Sequence, residues 1–434
     1  MIALAVLLSG FVSGLLLAQS SGIDLAGGGS IGGLLLSSGG GVLAIAVIAA
    51  TLLALFVRGR TALAAVSIAA VVAGGMSAVL VPAGVFEYIA VISGGVLLGG
   101  SAAVARHSRS SESKSVGLQR ALIASFLAGL LTAGAVVALE SDTPRRYQDY
   151  LLESERTTPI VIPVLALLTA IALAVALGRA TADTGAETGT GHSSHAVPGV
   201  HVGRIVLAAV LISGCGLLIH WLFLQQLYDG GSDLAGHFYL GVLAIPICVA
   251  AAALLPGLGG TMVLAGLAVL AASSTVPAVA VDVSASPIWV SGVIVATAAS
   301  VAAGAALALR WKHPVAGCSV LALVCATALF DRPPLDNVNY VAGLVAFPAA
   351  AVYLYLSCTP AEPSSSTIGL TVPVAITVPM VLTYGWTAYT PLTSIDTSAF
   401  SPGVDLWIST GVAFAAVVIA GIGIEALHRR RRPL

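Results

Sequence analysis

The residues with the greatest chemical potential lie close together near the end of one long apolar run. His220 and Trp221 are followed at short spacing by two glutamines and several aromatic residues. An imidazole can exchange a proton near neutral pH, and amides beside aromatic rings can hold an amphipathic molecule. The alternative is an aromatic belt, which forms where membrane helices meet water. We predict that the imidazole, the amides and a nearby tyrosine contact a substrate; the residues are His220, Gln225, Gln226 and Tyr239.

The other potentially reactive groups lack the arrangements that catalysis or metal binding requires. His192, His195 and His201 lie near one another in a polar segment, but no cysteine or carboxylate completes a metal site. The five cysteines form no C-x-x-C pair and lie in or at the end of apolar runs, which is typical of buried core residues. The glycine-rich segment 22–33 lacks the Gly-Lys-Ser/Thr ending of a phosphate loop. We expect no enzyme activity, no metal and no cofactor.

Side chains of this kind must be positioned by membrane helices, because the composition excludes a water-soluble core. Of 434 residues, 58% are hydrophobic and 9% are charged, whereas soluble domains carry about 25% charged residues. A helix needs about 20 apolar residues to cross a bilayer. We predict an all-α polytopic fold of about 14 spans. Their approximate bounds are 2–19, 42–57, 61–82, 87–105, 119–139, 159–178, 204–227, 235–256, 260–280, 288–309, 314–330, 338–357, 368–388 and 405–427.

Alternating crossings distribute the charged residues very unequally between the two sides. Fourteen of the 18 Lys and Arg fall on one side, called the basic side here. They are Arg58, Arg60, Arg106, Arg109, Lys114, Arg120, Arg179, Arg204, Arg310, Lys312 and Arg429 to Arg432. Most carboxylates fall on the opposite, acidic side. The bias predicts that the basic side and both termini are cytoplasmic, in a plasma membrane.

The same pattern limits the partners. No basic stripe is present that would bind nucleic acid, and the terminal arginines are expected to bind anionic lipid headgroups. The expected partners are the lipid bilayer and a small amphipathic substrate, and the sequence identifies no protein partner. No charge lies in the middle of a predicted span, which removes the usual indication of a substrate.

The domain organisation follows from one polar segment rich in Gly, Ser, Thr and His at 179–203. This composition predicts a flexible cytoplasmic linker. We expect an N-terminal six-helix half at 1–178 and a C-terminal half of about eight helices at 204–427. A basic cytoplasmic tail follows at 428–434.

Three short motifs lie at defined places among the predicted spans. The first is the loop Val57-Arg58-Gly59-Arg60 between predicted spans two and three. The second is the loop Arg106 to Arg120 and the glycine-bearing span after it, with Gly129 and Gly134. The third is the run Phe223-Leu224-Gln225-Gln226, followed by Ala235-Gly236 and Pro246. Over roughly residues 1–310 these motifs resemble the major facilitator superfamily, in particular its 14-span drug:proton antiporter branch, and the linker lies where the two halves of that family are joined.

The resemblance implies a secondary transporter that exports a hydrophobic or amphipathic molecule by alternating access. The aspartate of the family's inner loop motif is missing here, and no carboxylate lies in the middle of a predicted span, so no coupling ion is identified. Two alternatives remain open. One is a non-transporting membrane subunit or scaffold of a cell-envelope or secretion assembly. The other is a lipid-linked saccharide flippase, although its pyrophosphate cargo requires buried Arg or Lys.

Overall fold

A computed structural model describes most of the chain. The described residues are 2–20, 39–57, 59–81, 83–107, 112–140, 160–184, 199–229, 236–276, 287–330, 335–360, 363–378, 380, 382–384 and 404–430. The loops predicted at 140–158 and 390–404, apart from their end residues Glu140 and Val404, lie outside this part, as do the glycine-rich segment and His192 and His195.

The N-terminal part of the described chain is helical throughout. Its helices are α1 (Ile2–Leu17), α2 (Gly39–Phe56), α3 (Arg60–Leu80), α4 (Ala83–His107), α5 (Glu112–Glu140) and α6 (Val161–Thr184). A long helix α7 (Gly199–Asp229) follows, then strand β1 (Gly236–Phe238), a 3₁₀ turn (Leu240–Leu243) and α8 (Ala244–Leu254). Helices α6 and α7 extend into the predicted linker from both ends, and residues 185–198 lie outside the described part.

The remainder contains helices and a second strand. The helices are α9 (Gly259–Ser273), α10 (Pro287–Arg310), α11 (Pro314–Thr327), α12 (Asp336–Val341), α13 (Phe347–Ser357), α14 (Pro363–Ala375) and α15 (Val404–Arg429). A π-helical segment (Ala342–Ala346) joins α12 to α13 without a break. Strand β2 (Leu382–Tyr384) lies between α14 and α15.

Every predicted span contains a described helix, and eight of the helices are long and apolar enough to cross a membrane. Five further apolar helices are shorter, so the count of 14 crossings stays a prediction. Helix α10 carries exposed Trp289 near one end and exposed Trp311 just beyond the other. A helix rises about 1.5 Å per residue, so these two rings lie about 33 Å apart, close to the thickness of the hydrocarbon layer. This is the arrangement expected of an aromatic belt on each side.

The predicted span 368–388 is wrong in its bounds. Helix α14 begins at Pro363, contains Pro373 and ends at Ala375. Proline has no amide hydrogen to donate and its ring crowds the preceding turn, which favours an early end. The chain then forms β2, which pairs antiparallel with β1, with His237 opposite Thr383. The described chain is otherwise helical, so the all-α fold class is confirmed, with the addition of one short two-stranded ribbon.

The helices pack in two sets whose pairwise contacts repeat. In α1–α6, here the first set, the main pairs are α1/α5, α3/α4, α2/α4, α3/α6, α1/α4 and α1/α6. In α9–α15, the second set, they are α9/α14, α11/α13, α10/α13, α11/α15, α9/α13 and α9/α15. Each pair of the first set has its counterpart when α1 to α6 are matched in order to α9, α10, α11, α13, α14 and α15. The hairpin α7–α8 has no counterpart and lies between the sets in sequence.

Glycines allow the closest of these helix crossings. A side chain at Gly95 or Gly99 of α4 would strike the backbone of Ala46 or Ala50 of α2. The matched pair α10/α13 has the same feature at Gly304. Without a hydrophobic force between helices in lipid, close backbone approach is the main source of association energy. The contacts of Gly95 and Gly99 also advance together along both helices, so α2 and α4 run parallel, as alternating crossings require.

Candidate functional site

The interface between the two sets is built from matched helix pairs. Helix α5 of the first set packs on α10 of the second, and α14 of the second packs on α2 of the first. Helix α5 also contacts α13, and α14 contacts α4. Since α5 corresponds to α14, and α2 and α4 correspond to α10 and α13, these contacts are related by an approximate two-fold axis. Polar groups near this axis are the candidates for a site.

One polar contact crosses the interface near the start of both α5 and α14. The side-chain amide of Gln119 donates a hydrogen bond from Nε2 to Oγ of Ser366. Both residues are 3% exposed. Ser366 belongs to a run of four buried hydroxyl residues, Ser364 to Thr367, in the first turns of α14. A buried amide without a partner is costly, so this bond favours contact between the sets at this level.

Buried apolar residues follow this contact on both helices. Helix α5 contributes Leu122, Ile123 and Phe126, and α14 contributes Ile368 and Val372. All five belong to the largest cluster of buried apolar residues, which includes members of both sets.

A second polar contact lies toward the other end of α14. His220 of α7 is fully buried, and its Nδ1 lies 3.0 Å from Oγ1 of Thr377, just beyond the end of α14. The other side of the imidazole faces α2. A Cβ atom built on Gly40 would lie 2.9 Å from Cγ and Cδ2 of the ring. His220 thus joins three elements: the hairpin, the first set and the second set.

The other predicted contact residues have different surroundings. Gln225 is exposed, and the side chain of Tyr239 is 45% exposed. The side chain of Gln226 lies outside the part that the structure describes. His220 is therefore buried between helices, whereas Gln225 and Tyr239 lie on the protein surface. That these four residues contact a substrate stays a prediction.

Sequence reasoning did not identify Gln119 and Ser366. Gln119 stands at the start of an apolar run beside the basic loop, where a solvated position is the ordinary interpretation. Signals were nevertheless available in the sequence. A glutamine within the first turns of a span and three consecutive serines, Ser364 to Ser366, are uncommon in lipid-facing helices. Their meeting depends on the packing of two helices more than 200 residues apart in sequence.

The buried polar side chains of the described part are uncharged or histidine. They belong to Ser, Thr, Gln and His residues, and among the side chains that the structure describes no Asp, Glu, Lys or Arg is buried. The described His, Cys, Asp and Glu residues also form no group of three that could hold a metal ion. Four of the five cysteines are buried and none forms a disulfide, in agreement with the prediction that they are core residues.

No protein-family model matches this sequence, and no curated protein is significantly similar to it. Among solved structures, the chain is similar to the partially occluded inward-open conformation of the xylose transporter XylE from E. coli, with 13% identity, a TM-score of 0.48, and coverage of 100% of this chain and 99% of that one. It is also similar to the major facilitator superfamily proton:xylose symporter XylE bound to 6-bromo-6-deoxy-D-glucose, with 13% identity, a TM-score of 0.47, and coverage of 97% and 94%. At these values neither structure identifies the family or the substrate of this chain.

Proposed function

We propose that this protein is a secondary membrane transporter that moves a hydrophobic or amphipathic small molecule by rocking of its two helix sets. The observation that carries the proposal is the repeated contact pattern. Six helix pairs of α1–α6 recur in α9–α15, and the sets meet through matched pairs. Two similar bundles around a central axis can exchange two arrangements of nearly equal energy, which alternating access requires.

The hairpin α7–α8 changes the domain organisation expected from the sequence. We propose two six-helix units separated by a helical hairpin, in place of a six-helix half followed by an eight-helix half. This order accounts for the contacts, because α9 takes the position in the second set that α1 takes in the first. It is also consistent with the resemblance to the 14-span antiporter branch.

The proposed class of substrate follows from the interface. Buried apolar residues such as Phe126 and Val372 belong to one cluster that includes members of both sets, and Gln119 and Ser366 supply one polar contact between the sets. A neutral or lipid-like molecule can bind such a surface without a compensating charge. A pyrophosphate-linked saccharide would require buried cations, and none is found among the described residues. The proposed direction is export, which rests on the sequence resemblance alone.

A vesicle assay tests this proposal. The purified protein would be reconstituted into liposomes with an imposed proton gradient, and uptake of a panel of lipophilic fluorescent dyes measured with and without an uncoupler. Protein-dependent uptake above that of empty liposomes is expected. Uptake abolished by the uncoupler identifies proton coupling, and uptake unaffected by it identifies another driving force or facilitated diffusion.

A variant with Gly95→Leu serves as the inactive control, because its side chain would separate α2 from α4. The control variant that is expected to keep its activity is Gly134→Leu, because this glycine has open space around it. Folded wild-type protein that moves no member of the panel would overturn the proposal in favour of the scaffold alternative. Purification with native partners would then be the next experiment.

A further inference from the structure

The hairpin α7–α8 contacts the second set through the latter half of α7 and through α8. A Cβ on Gly216 of α7 would lie 2.5 Å from the carbonyl oxygen of Ala375, the last residue of α14. One turn later His220 bonds Thr377 at 3.0 Å. Helix α8 packs on α9, where a side chain at Gly260 would strike the backbone of Ala252.

Two more contacts hold the far end of the hairpin. Val378, after α14, is buried in a cluster with Phe223 and Leu224 of α7. Strand β1, which lies within the hairpin, pairs with β2, which follows α14. The hairpin and the segment after α14 therefore share a hydrogen bond, an apolar cluster and a strand ladder.

The hairpin contacts the first set mainly through one helix, α2. Helix α7 packs on α2 more extensively than on α14, and no other helix of the first set makes a comparable contact with the described hairpin. At the start of α2, the imidazole of His220 lies on Gly40, which is buried. By the predicted alternation of spans, the start of α2 and the end of α7 lie on the acidic side of the membrane.

We infer that the hairpin moves as an arm of the second set and closes the acidic-side mouth when His220 rests on Gly40. This inference rests on the proposed transport function. Contacts to the second set are many and of three kinds, so they are retained when the sets rock. The contact between the hairpin and α2 has to break. Gly40 permits closure because any side chain there would meet the ring before the helices came together.

The experiment compares two cross-links in a background without the five native cysteines. The gate pair is Gly40→Cys with His220→Cys. Position 40 has its Cβ 2.9 Å from Cγ of His220, which brings the two Cβ atoms within disulfide range. The control pair is His237→Cys with Thr383→Cys, which are register partners in the β1–β2 ribbon. The first pair is oxidised, and the second is oxidised or bridged with a short bis-methanethiosulfonate.

Cross-linking the gate pair is expected to lower transport at least tenfold, and reduction is expected to restore it. Cross-linking the control pair is expected to leave at least half of the rate, since it joins parts that move together. Equal rates before and after oxidation of the gate pair would overturn the inference. A block by the control pair of the same size would also overturn it, because the hairpin would then move relative to α14.

Hydrogen exchange read by mass spectrometry on the same samples requires no substrate. The gate cross-link is expected to slow amide exchange at least tenfold at the start of α2 and the end of α7. The control cross-link is expected to slow exchange only beside the ribbon. If the gate cross-link slows amide exchange but no form of the protein transports any dye, the gate is supported and the proposed function is overturned. Equal exchange in the two cross-linked forms overturns the gate, whatever the transport result.

Discussion

Gln119 and Ser366 form a hydrogen bond between two helices, α5 and α14, that occupy equivalent places in the two sets. The bond therefore lies close to the approximate two-fold axis, near the start of both helices. A contact on the axis joins the sets without favouring either one. In the proposed transport mechanism, opening the basic side would separate α5 from α14 and break this bond. The bond is therefore expected to stabilise the state in which the basic side is closed.

Replacing Ser366 by alanine removes the acceptor and leaves the Gln119 amide buried. A buried polar group without a partner costs about 1–3 kcal/mol, so Ser366→Ala should lower the thermal unfolding temperature in detergent. Gln119→Leu removes the donor together with its need for a partner, and a smaller decrease is expected. The double variant should resemble Gln119→Leu. If Ser366→Ala unfolded at the wild-type temperature, the hydrogen bond would not contribute to stability.

The glycines at helix crossings should tolerate no side chain. In Gly95→Ala the added methyl group would meet the carbonyl of Ala46, and the forced separation of α2 and α4 should cost about 1–3 kcal/mol. In Gly134→Ala the methyl group has open space, so stability should stay within about 0.5 kcal/mol of the wild type. Size-exclusion profiles after graded heating would measure both. Equal loss in the two variants would exclude close packing as the reason for Gly95.

Tyr355 ties α13 to α14 within the second set. Its side chain is fully buried, and its hydroxyl donates a hydrogen bond of 2.9 Å to the carbonyl of Gly369. Tyr355→Phe should cost about 0.5–1.5 kcal/mol, because the carbonyl loses a donor that no water replaces. Tyr353→Phe is the control: its hydroxyl lies 3.2 Å from the amide nitrogen of His313, and its side chain is less buried. The prediction is contradicted if the control loses more stability in a thermal unfolding series.

The orientation of the chain can be tested directly. Single cysteines placed within 141–158 should react with a membrane-impermeant maleimide on intact cells, since this segment is predicted to lie outside. Cysteines placed within 431–434 should react only after permeabilisation, because basic loops remain cytoplasmic. Labelling of both positions on intact cells would contradict the predicted topology. The experiment needs the background without native cysteines, of which Cys215 is the only one that is not buried.

The sequence alone determined that this is a helical membrane protein and gave the approximate places of most of its helices. Apolar runs of about 20 residues allow one solution in lipid, because every backbone polar group must bond within its own helix. The 2.8 Å ion pair between Glu425 and Arg429, one helical turn apart, likewise depends only on local spacing. Such features depend on residues that are close in sequence, so the spacing and composition of the residues predict them directly.

The tertiary structure decided which helices meet and therefore where a site can lie. Gln119 and Ser366, or His220 and Gly40, are far apart in sequence, and no local pattern joins them. Between apolar helices in lipid, the partner is selected by shape, through small residues that allow close approach. The sequence carries those small residues throughout, with 48 glycines, so it does not show which of them face another helix. Their arrangement in three dimensions distinguishes two matched sets and a hairpin from fourteen similar spans.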